Sequence, residues 1–342
     1  MKFLGKSPAP EQLARFATLA NHDRRKFQNL GGVAYRVGDA SVRDLMLGFW
    51  RRPKSVRPSR PVPSVRTDLQ NTTFEQPTVM WFGHSSYLIK AGGLNLLVDP
   101  VFSGNASPIP GSVKAFAGAN DYQVTDLPPI DVLIITHDHY DHLDYPTVNQ
   151  LRGRVRHAVM PLGVAAHFRH WGWEAEQLTE LNWGEHATPV PGVQLTATPA
   201  QHMSGRSLAP QQTLWASYVL DVAGVRLFIG GDSGYGPHFK TIGEQYGPFE
   251  LATLENGQNN DLWHSIHTLP PETAQAAFDL RARTLLPVHW AKFTLGYHPW
   301  NEPIQLLLPA AEKLGLAVTV PRIGEPYAVG SPALREVWWD FQ

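Results

Sequence analysis

The apolar and polar positions divide the chain into a short, irregular beginning and a longer part in which strands and helices alternate. From Pro10 onward, "APEQLARFATLANHDRRKF" carries apolar residues at helical spacing and predicts a short helix. The stretch "FWRRPKSVRPSRPVPSVR" contains several prolines, which interrupt helices, so we expect it to run extended over the surface. We therefore predict a helix and a basic, proline-rich arm over residues 1–70, and one domain over residues 71–342.

The pattern from residue 78 onward is that of strands joined by tight turns and by helices. "TVMWFGHSSYLIKAGGLNLLVDP" predicts a hairpin that turns at Ala91-Gly92-Gly93. "DVLIIT" and "HAVMPLG" are short, continuous apolar runs, which is the pattern of strands that are covered on both faces. Helical stretches such as "PPETAQAAFDLRAR" lie between further apolar runs of this kind. Strands interleaved with helices predict a layered α/β domain.

The composition excludes several classes of function. The chain of 342 residues has a formal net charge of −1, and this balance gives no reason to expect a nucleic-acid partner. The absence of cysteine excludes disulfides, thiolate metal ligands and cysteine nucleophiles. No apolar run reaches the ~18 residues of a membrane span, so we expect a cytoplasmic protein.

The loop behind "DVLIIT" concentrates residues that can bind a metal ion. An H-x-H-x-D-H pattern within "IITHDHYDHLD" is formed by His137, His139, Asp141 and His142. Imidazole nitrogens and carboxylate oxygens are ligands that Zn²⁺ and similar divalent ions accept. A loop at the end of a buried strand can direct several closely spaced side chains to one side. We therefore predict a metal-binding loop here.

Three further strand ends deliver the same types of residue. His202 ends "TATPAQH", Asp232 lies in "LFIGGDS", and His289 lies in "LLPVHW". Each of them, taken alone, is explained by a hydrogen bond within a loop. Because the arrangement recurs three times in a chain that also has the H-x-H-x-D-H loop, we predict that these residues complete two metal shells.

Several motifs together resemble those of the metallo-β-lactamase superfamily. They are "LVDPVFSGNASP", "LPPIDVLIITHDHYDHLD", "QHMSGRS", "LFIGGDSGYGPHFKTIGEQYGPFEL" and "VHWAKFTLGYHPWNEP". Within the superfamily, the sequence from about residue 70 onward resembles N-acyl-phosphatidylethanolamine-hydrolysing phospholipase D and its bacterial relatives. The resemblance implies an α/β fold of the αββα sandwich type with an N-terminal extension, and a dinuclear metal site between the two sheets.

The resemblance also implies which residues serve which metal ion. His137, His139 and His202 would bind the first ion, Asp141, His142 and His289 the second, and Asp232 would bridge the two. The ions would be two Zn²⁺, although other divalent metals suit the same ligands. They would share a hydroxide that attacks phosphorus in a phosphodiester, so that no nucleophilic side chain is needed.

The resemblance implies two catalytic residues and one substrate-binding residue. Asp141 and His267 are the catalytic pair, and His267 could donate a proton to the leaving group or hold a phosphoryl oxygen. A hydrogen bond at the entry of the following helix is the rival explanation of His267. Arg206 could pair with a substrate phosphate.

Two carboxylates are expected to orient ligand histidines from behind. They are Asp99, in "LLVDP", and Asp144. For both of them, the capping of a loop explains the residue nearly as well. His84, in "FGHSS", is expected to be structural rather than catalytic.

The substrate is less well determined than the chemistry. Segment 255–265, "ENGQNNDLWHS", departs from the phospholipase D, and its amide and carboxylate side chains predict a polar pocket wall. We expect a phospholipid or a small organic phosphodiester as substrate. A lactone or another acyl ester is the alternative, because the same metal ligands serve both reactions. The sequence leaves the oligomeric state open.

The basic arm has two interpretations. It contains six cations without a single acid: Arg51, Arg52, Lys54, Arg57, Arg60 and Arg66. The first interpretation is a solvated arm that wraps the domain. The second is a strip that faces anionic lipid head groups at the inner face of the membrane.

Overall fold

The computed structural model describes residues 2–34, 52–109, 111–206, 210–257, 259–260 and 263–341. Its strands, in chain order, are β1 (Thr78–Trp81), β2 (Tyr87–Ala91), β3 (Leu94–Val98), β4 (Ile130–Ile134), β5 (Val155–Pro161), β6 (Leu178–Leu181), β7 (His186–Val190), β8 (Val193–Thr198), β9 (Ser217–Val222), β10 (Val225–Ile229), β11 (Leu251–Glu255), β12 (Thr284–Val288), β13 (Ala317–Val318) and β14 (Pro326–Ala328). Its α-helices are α1 (Pro10–Phe16), α2 (Tyr145–Leu151), α3 (Ala165–His170), α4 (His238–Tyr246), α5 (Pro270–Asp279) and α6 (Glu302–Lys313).

These strands form two mixed sheets of seven strands each within the described ranges. The first has the order β14-β1-β2-β3-β4-β5-β6, and its strands are antiparallel from β14 to β3 and parallel from β3 to β6. The second has the order β13-β12-β11-β10-β9-β8-β7, antiparallel from β7 to β10 and parallel from there to β13. Helix α3 packs beside β6, whereas α5 and α6 pack beside β11 and β13. The predicted αββα sandwich is thereby confirmed.

The central strands of both sheets are buried. All residues of β11 and β12 are buried, as are four of the five residues of β4. In a sandwich of this kind, one face of a central strand meets the other sheet and the opposite face meets helices. This double cover explains why "DVLIIT" and similar stretches are continuous apolar runs instead of alternating ones.

Two hairpins turn through residues with positive φ. Gly92 and Gly93, with φ of 58° and 79°, join β2 to β3, which confirms the predicted hairpin. Ala223 and Gly224, with φ of 47° and 77°, join β9 to β10. Positive φ at both central residues is the signature of a type I′ turn. Ala223 therefore holds a left-handed conformation that costs an L-residue free energy.

The beginning of the chain packs on the domain. Helix α1 begins at Pro10, as the sequence predicted. In the basic arm, Val62 N donates to Ala117 O at 2.8 Å and Val65 N donates to Ile323 O at 2.7 Å. These bonds fit an arm that wraps the domain. Arg51 lies outside the described residues.

The last strand closes the first sheet from the far end of the chain. Thr78 in β1 pairs with Ala328 in β14. Beyond that strand, the ring of Trp338 lies 5.2 Å from Trp290 and 6.3 Å from Trp81. Of the helices in the described ranges, none has both the length and the apolar character needed to cross a bilayer.

Candidate metal centre

The predicted ligands converge from four strand ends. The metal-binding loop, residues 137–143, follows β4, while His202, Asp232 and His289 follow β8, β10 and β12. The structure brings these residues into groups whose ligand atoms lie within 4.8 Å of one another. One group is His137, His139 and His202, a second is His84, Asp141, His142 and His289, and a third is His137, His142 and Asp232. The ligand set that was spread over some 150 positions of sequence thus meets between the sheets.

The first group brings together the imidazole nitrogens of three residues: His137, His139 and His202. His137 Nε2 lies 3.0 Å from His139 Nδ1, which lies 3.2 Å from His202 Nε2. Burial holds the pKa of His137 and His202 well below the ordinary value, so both rings are neutral near pH 7. Three neutral or near-neutral nitrogens that converge on one point have the chemistry of a metal-binding triad.

Asp232 lies between the two groups. Its Oδ2 is 3.1 Å from His142 Nε2 and 3.0 Å from His289 Nε2. The same oxygen is 3.8 Å from His137 Nε2 and 3.8 Å from His202 Nε2. One carboxylate therefore contacts histidines of both groups, which is the position that a bridging ligand requires.

Unpartnered polar atoms test whether these residues fit a metal. Among the described residues, the buried atoms without a hydrogen bond of acceptable geometry include three at this centre, although both nitrogens lie near Asp232 Oδ2: His142 Nε2, His289 Nε2 and Asp232 Oδ1. Buried polar atoms in native proteins are normally paired, because an unpaired one costs about 1–3 kcal/mol. Two nitrogens and one oxygen that lack a hydrogen bond at the same place fit the coordination of a divalent cation.

The electrostatics of the second group also favour a cation. Burial alone would lower the pKa of His289, but the carboxylates of Asp232 and Asp141 outweigh it and raise that pKa to about 10. Burial is likewise outweighed at His142, whose pKa the same two carboxylates raise well above its ordinary value. The protein thus stabilises positive charge at this point, and a bound divalent ion would supply it.

Asp99 holds two ligand histidines by their outer nitrogens. Its Oδ2 accepts from His142 Nδ1 at 2.8 Å and from Thr136 Oγ1 at 2.6 Å. Since the Thr136 hydroxyl donates to Asp99, its oxygen accepts from His137 Nδ1 at 3.0 Å. Both imidazoles are therefore fixed in the tautomer that directs Nε2 to the centre.

Backbone carbonyls orient two other ligands in the same way. Ile266 O accepts from His202 Nδ1 at 3.0 Å, and Gly257 O lies 3.4 Å from His289 Nδ1. Gly257 lies within the segment that the sequence singled out as the pocket wall, and Ile266 follows that segment directly. The wall therefore fixes the ligands as well as bounding the cavity.

Asp144 does not orient a histidine in the described structure. Its Oδ2 accepts from Ser103 N at 3.0 Å and from Thr147 Oγ1 at 2.5 Å, at the start of α2. The alternative explanation, the capping of a loop, fits these contacts. The expectation of a metal-supporting role for Asp144 does not.

Arg206 is not placed to bind a substrate phosphate at the metal centre, contrary to the expectation from sequence. It is buried, and its guanidinium donates to three carbonyl oxygens: those of Asp138, Leu143 and Phe3. The residue does not line the cavity over the ligand groups. Both Nη atoms donate to these backbone oxygens, so a substrate phosphate would have to break those bonds first.

His84 lies closer to the centre than the sequence suggested. Its Nε2 is 3.0 Å from Asp141 Oδ2, and its ring centroid is 4.1 Å from that of His289. Burial is the main reason why the pKa of His84 falls to about 3, so the ring is neutral and Nε2–H donates to the carboxylate. His84 thus holds Asp141 in place, which is a structural role at the metal centre itself.

His267 is paired with a carboxylate that the sequence analysis did not single out. Glu255, the last residue of β11, places Oε2 at 2.6 Å from His267 Nδ1 and 3.8 Å from His289 Nδ1. Burial opposes a charge on His267, but Glu255 outweighs it and raises the pKa of the imidazole. The signal for Glu255 was its position at the end of an apolar strand, the same signal that identified Asp232.

The cavity over the ligand groups measures about 300 Å³. It is lined by His139, Asp141, Asp232, Trp263, Ile266, His267, His289 and Leu295. Trp263 and Ile266, from the "ENGQNNDLWHS" end of the wall, contribute apolar surface, and among the described residues its asparagines do not reach the cavity. Gln258 and Asp261 of that segment lie outside the described residues. The predicted polar wall is not what the described lining shows.

A larger cavity of about 770 Å³ is lined in part by Tyr140, the residue that stands between the ligands His139 and Asp141 in the sequence. Its apolar lining includes Phe3, Phe116 and Tyr145, and Lys114 stands on its wall. Ala115 of this cavity and Leu295 of the smaller one pack against the same core cluster. The two cavities are therefore close neighbours along the metal-binding loop.

Comparisons with known proteins agree with this geometry. The family model for the beta-lactamase superfamily domain matches residues 94–290. An uncharacterized protein of Mycobacterium tuberculosis is 38% identical over 303 residues, which cover 86% of this chain and 81% of that protein. N-acyl-phosphatidylethanolamine-hydrolyzing phospholipase D 1 of Caenorhabditis elegans is 32% identical over 256 residues, covering 68% of this chain and 70% of the relative.

A solved structure shows the same fold. It is that of Igni18, a metallo hydrolase from the archaeon Ignicoccus hospitalis, which superposes with a TM-score of 0.55 at 21% identity. The match covers 74% of this chain and 97% of the archaeal protein. The matched family range begins at Leu94 in β3 and ends at Trp290, and so contains every predicted ligand.

Proposed function

Since this chain belongs to the metallo-β-lactamase superfamily of metal-dependent hydrolases, we propose that it hydrolyses a phosphodiester bond in a phospholipid. The single observation that carries the proposal is the pair of ligand groups that share Asp232. A pair of divalent ions would suit an in-line displacement at phosphorus, because two ions can stabilise the attacking and the leaving oxygen. The named activity of the relative from Caenorhabditis elegans supports the choice of a phospholipid.

Two zinc ions are the cofactors that we propose. His137, His139 and His202 would hold one ion, Asp141, His142 and His289 the other, and Asp232 would contact both. When bound, such ions lower the pKa of a coordinated water and polarise a phosphoryl oxygen. Asp99 and His84 keep the ligands in their binding orientation through the contacts described above.

His267 is the proton donor in this proposal. Because Nδ1–H is directed to Glu255, the other nitrogen of the ring is left to face the cavity that His267 lines. The carboxylate of Glu255 keeps the imidazole protonated, as a general acid requires. The proton would pass from Nε2 to the departing head-group oxygen.

The two cavities support a lipid rather than a small diester. The smaller cavity holds about 300 Å³ around the ligands, which suits a phosphate and part of a head group. The neighbouring cavity of about 770 Å³ has apolar walls that could accept an acyl chain, and Lys114 offers a cation on its wall. A small soluble diester would leave this second space unused.

The experiment that tests the proposal measures metal and turnover on the same preparation. Elemental analysis of the purified protein should find about two transition-metal ions per chain, and chelation should abolish turnover of phosphatidylethanolamine and its N-acylated form. Turnover in H₂¹⁸O should place the label in the phosphatidic acid that is released, because water attacks phosphorus. Full activity after exhaustive chelation would contradict the proposal.

The same panel should include a lactone and a thioester. The metal ligands serve attack on carbonyl carbon as well as on phosphorus, so they do not separate the two reactions. Turnover of the lactone with no release of phosphatidic acid would mean that the substrate is an acyl ester and not a phospholipid. The metal-dependent hydrolysis would remain.

A further inference from the structure

We propose that residues 2–6 and the guanidinium of Arg206 together hold the metal-binding loop in its ligating conformation. We call this arrangement the latch, and Arg206 is a positioning residue within it. This inference rests on the proposed function, because it concerns the support of the loop that carries four of the predicted ligands. Arg206 and Phe3 do not line the cavity that holds the ligands, and both lie on the wall of the larger cavity beside it.

Arg206 joins the two ends of the metal-binding loop. Its Nη1 donates to Asp138 O at 3.0 Å and to Leu143 O at 2.5 Å. Asp138 is the second residue of the loop and Leu143 the last. One planar group therefore fixes the separation of the loop's ends, and an arginine fork makes such a clamp rigid.

The middle of the loop is held by the same residue. Tyr140 Oη donates to Arg206 O at 2.7 Å, and the guanidinium lies 4.1 Å from the centre of the Tyr140 ring. On another side the guanidinium lies 5.4 Å from the ring of Trp171. Stacking between aromatic rings stabilises a buried guanidinium and limits its movement.

Asp138 carries a second anchor through its side chain. Its Oδ1 accepts from Gly205 N at 2.7 Å, and its Oδ2 accepts from Thr213 Oγ1 at 2.9 Å. His167 Nε2 lies 3.1 Å from the same Oδ2. Because Asp138 stands between His137 and His139, fixing its carboxylate and its carbonyl fixes the backbone of both neighbouring ligands.

Residues 2–6 complete this support from outside. Lys6 N donates to His167 Nδ1 at 3.0 Å, so Nδ1 is the acceptor and the ring proton lies on Nε2, facing Asp138. Trp171 Nε1 donates to Lys2 O at 2.7 Å, and Arg206 Nη2 donates to Phe3 O at 2.8 Å. His167, Trp171 and Arg206 thus each form a hydrogen bond with a backbone group of this segment.

Gly5 makes the close approach possible. Its φ is 74°, and a Cβ at this position would lie 2.2 Å from His167 Nδ1. No side chain fits there without moving the segment or the imidazole. The latch is therefore open to a test by a single methyl group.

The test compares Gly5→Ala with Gly315→Ala in the full chain. Gly315 has a similar φ of 64° and no atom within 4 Å of an added Cβ, so it carries the backbone strain without the collision. We expect Gly5→Ala to weaken zinc affinity on the order of 10–100-fold, the usual effect of losing a group that supports a ligand. Zinc affinity is measured by competition with a chelator, and circular dichroism checks the fold.

Two substitutions at Arg206 give an independent measure. Arg206→Met keeps a long apolar stem and removes every donor, whereas Arg206→Lys retains one charged donor group. We expect zinc affinity to fall in Arg206→Met, and Arg206→Lys to recover part of the loss. In the cobalt-substituted protein, the visible absorption band should shift in Gly5→Ala and not in Gly315→Ala.

Metal affinity decides the inference whether or not a phospholipid is turned over. If Gly5→Ala folds and binds zinc as tightly as the wild type, residues 2–6 only pack on the surface and the latch is overturned. If Gly5→Ala loses zinc while no phosphodiester is cleaved by the wild type, the proposed substrate fails and the latch stands. Gly5→Ala gives this answer even where Arg206→Met does not fold.

Discussion

Asp232 is the residue on which the two ligand groups depend. Its carboxylate contacts histidines of both groups. We expect Asp232→Ala to release at least one metal ion per chain and to abolish hydrolysis, because both ions lose their common ligand. Elemental analysis and turnover of the wild-type substrate measure the two effects.

The matched control is Asp221→Ala, which removes a carboxylate from β9 that pairs with Arg226 at the surface. This variant should keep its metal and its activity. Retention of both ions by Asp232→Ala would show that the carboxylate is not a bridge.

His267 and Glu255 form the second prediction at this scale. His267→Ala should lower kcat by ~10²-fold or more, the scale of a lost general acid. Glu255→Gln should lower kcat by at least ~10-fold, because the amide neither holds the imidazole proton nor orients the ring as a carboxylate does. Both variants are measured by steady-state kinetics on phosphatidylethanolamine.

His264→Ala is the control. His264 stands three positions before His267, pairs with Glu272 at 3.0 Å and does not line the metal cavity. The metal content of His267→Ala distinguishes a role as proton donor from a role as metal ligand. Ligand atoms of Asp232, Glu255, His267 and His289 also lie within 4.8 Å of one another, so a loss of metal in His267→Ala would identify a ligand instead of a proton donor.

Residue types could be predicted where they follow a strand, and orientations could not. His202, Asp232 and His289 were visible because each ends an apolar run, and strand ends meet at one edge of a sheet. Arg206 carried no signal of its direction. A sequence shows that Arg206 stands four positions after His202, but it does not show that the guanidinium turns away towards the backbone of the metal-binding loop.

Turns are the elements that the sequence determined best. Gly92 and Gly93 predict a tight hairpin because glycine accepts positive φ, and the turn lies where they stand. Pairings between distant segments could not be predicted. β14 joins β1 from the other end of the chain, and local periodicity contains no information about such a partner.

The β9–β10 turn gives a prediction about stability. Ala223 holds a φ of 47° at an exposed position, and asparagine tolerates this conformation better than alanine. Ala223→Asn should stabilise the fold by about 0.5–1 kcal/mol and raise Tm by about 1–3 °C. Gly224→Ala, with a φ of 77° and open space around the added Cβ, should lower Tm instead. A lower Tm in Ala223→Asn would contradict the type I′ assignment.

At the scale of the whole molecule, the basic arm suggests how the protein meets a lipid substrate. Lys54, Arg57 and Arg60 are exposed, and basic residues near an anionic bilayer gain ~1 kcal/mol each. We expect the protein to sediment with anionic vesicles at low salt and to be released as salt screens the attraction over ~8 Å. Replacing the three cations by glutamine should weaken binding on the order of 100-fold.

A second triple variant changes the net charge equally at three exposed positions away from the arm: Lys240 in α4, Arg281 just after α5, and Lys313 in α6 become glutamine. Equal losses in both variants would mean that net charge, and not the arm, attracts the vesicles. Protein that stays in solution at low salt would leave the arm with its wrapping role alone.

The pairing of Thr78 with Ala328 also determines when the first sheet can be completed during synthesis of the chain. A chain made from its beginning exposes the edge of β1 until the ribosome has added 250 further residues, the difference between positions 328 and 78. At roughly 5–20 residues per second this interval lasts on the order of 10–50 s. His84 follows β1 and His289 follows β12, so the ligand set is also completed late in synthesis. The nascent chain must keep an unfinished sheet and an unfinished set of ligands from pairing wrongly until residue 328 has left the ribosome.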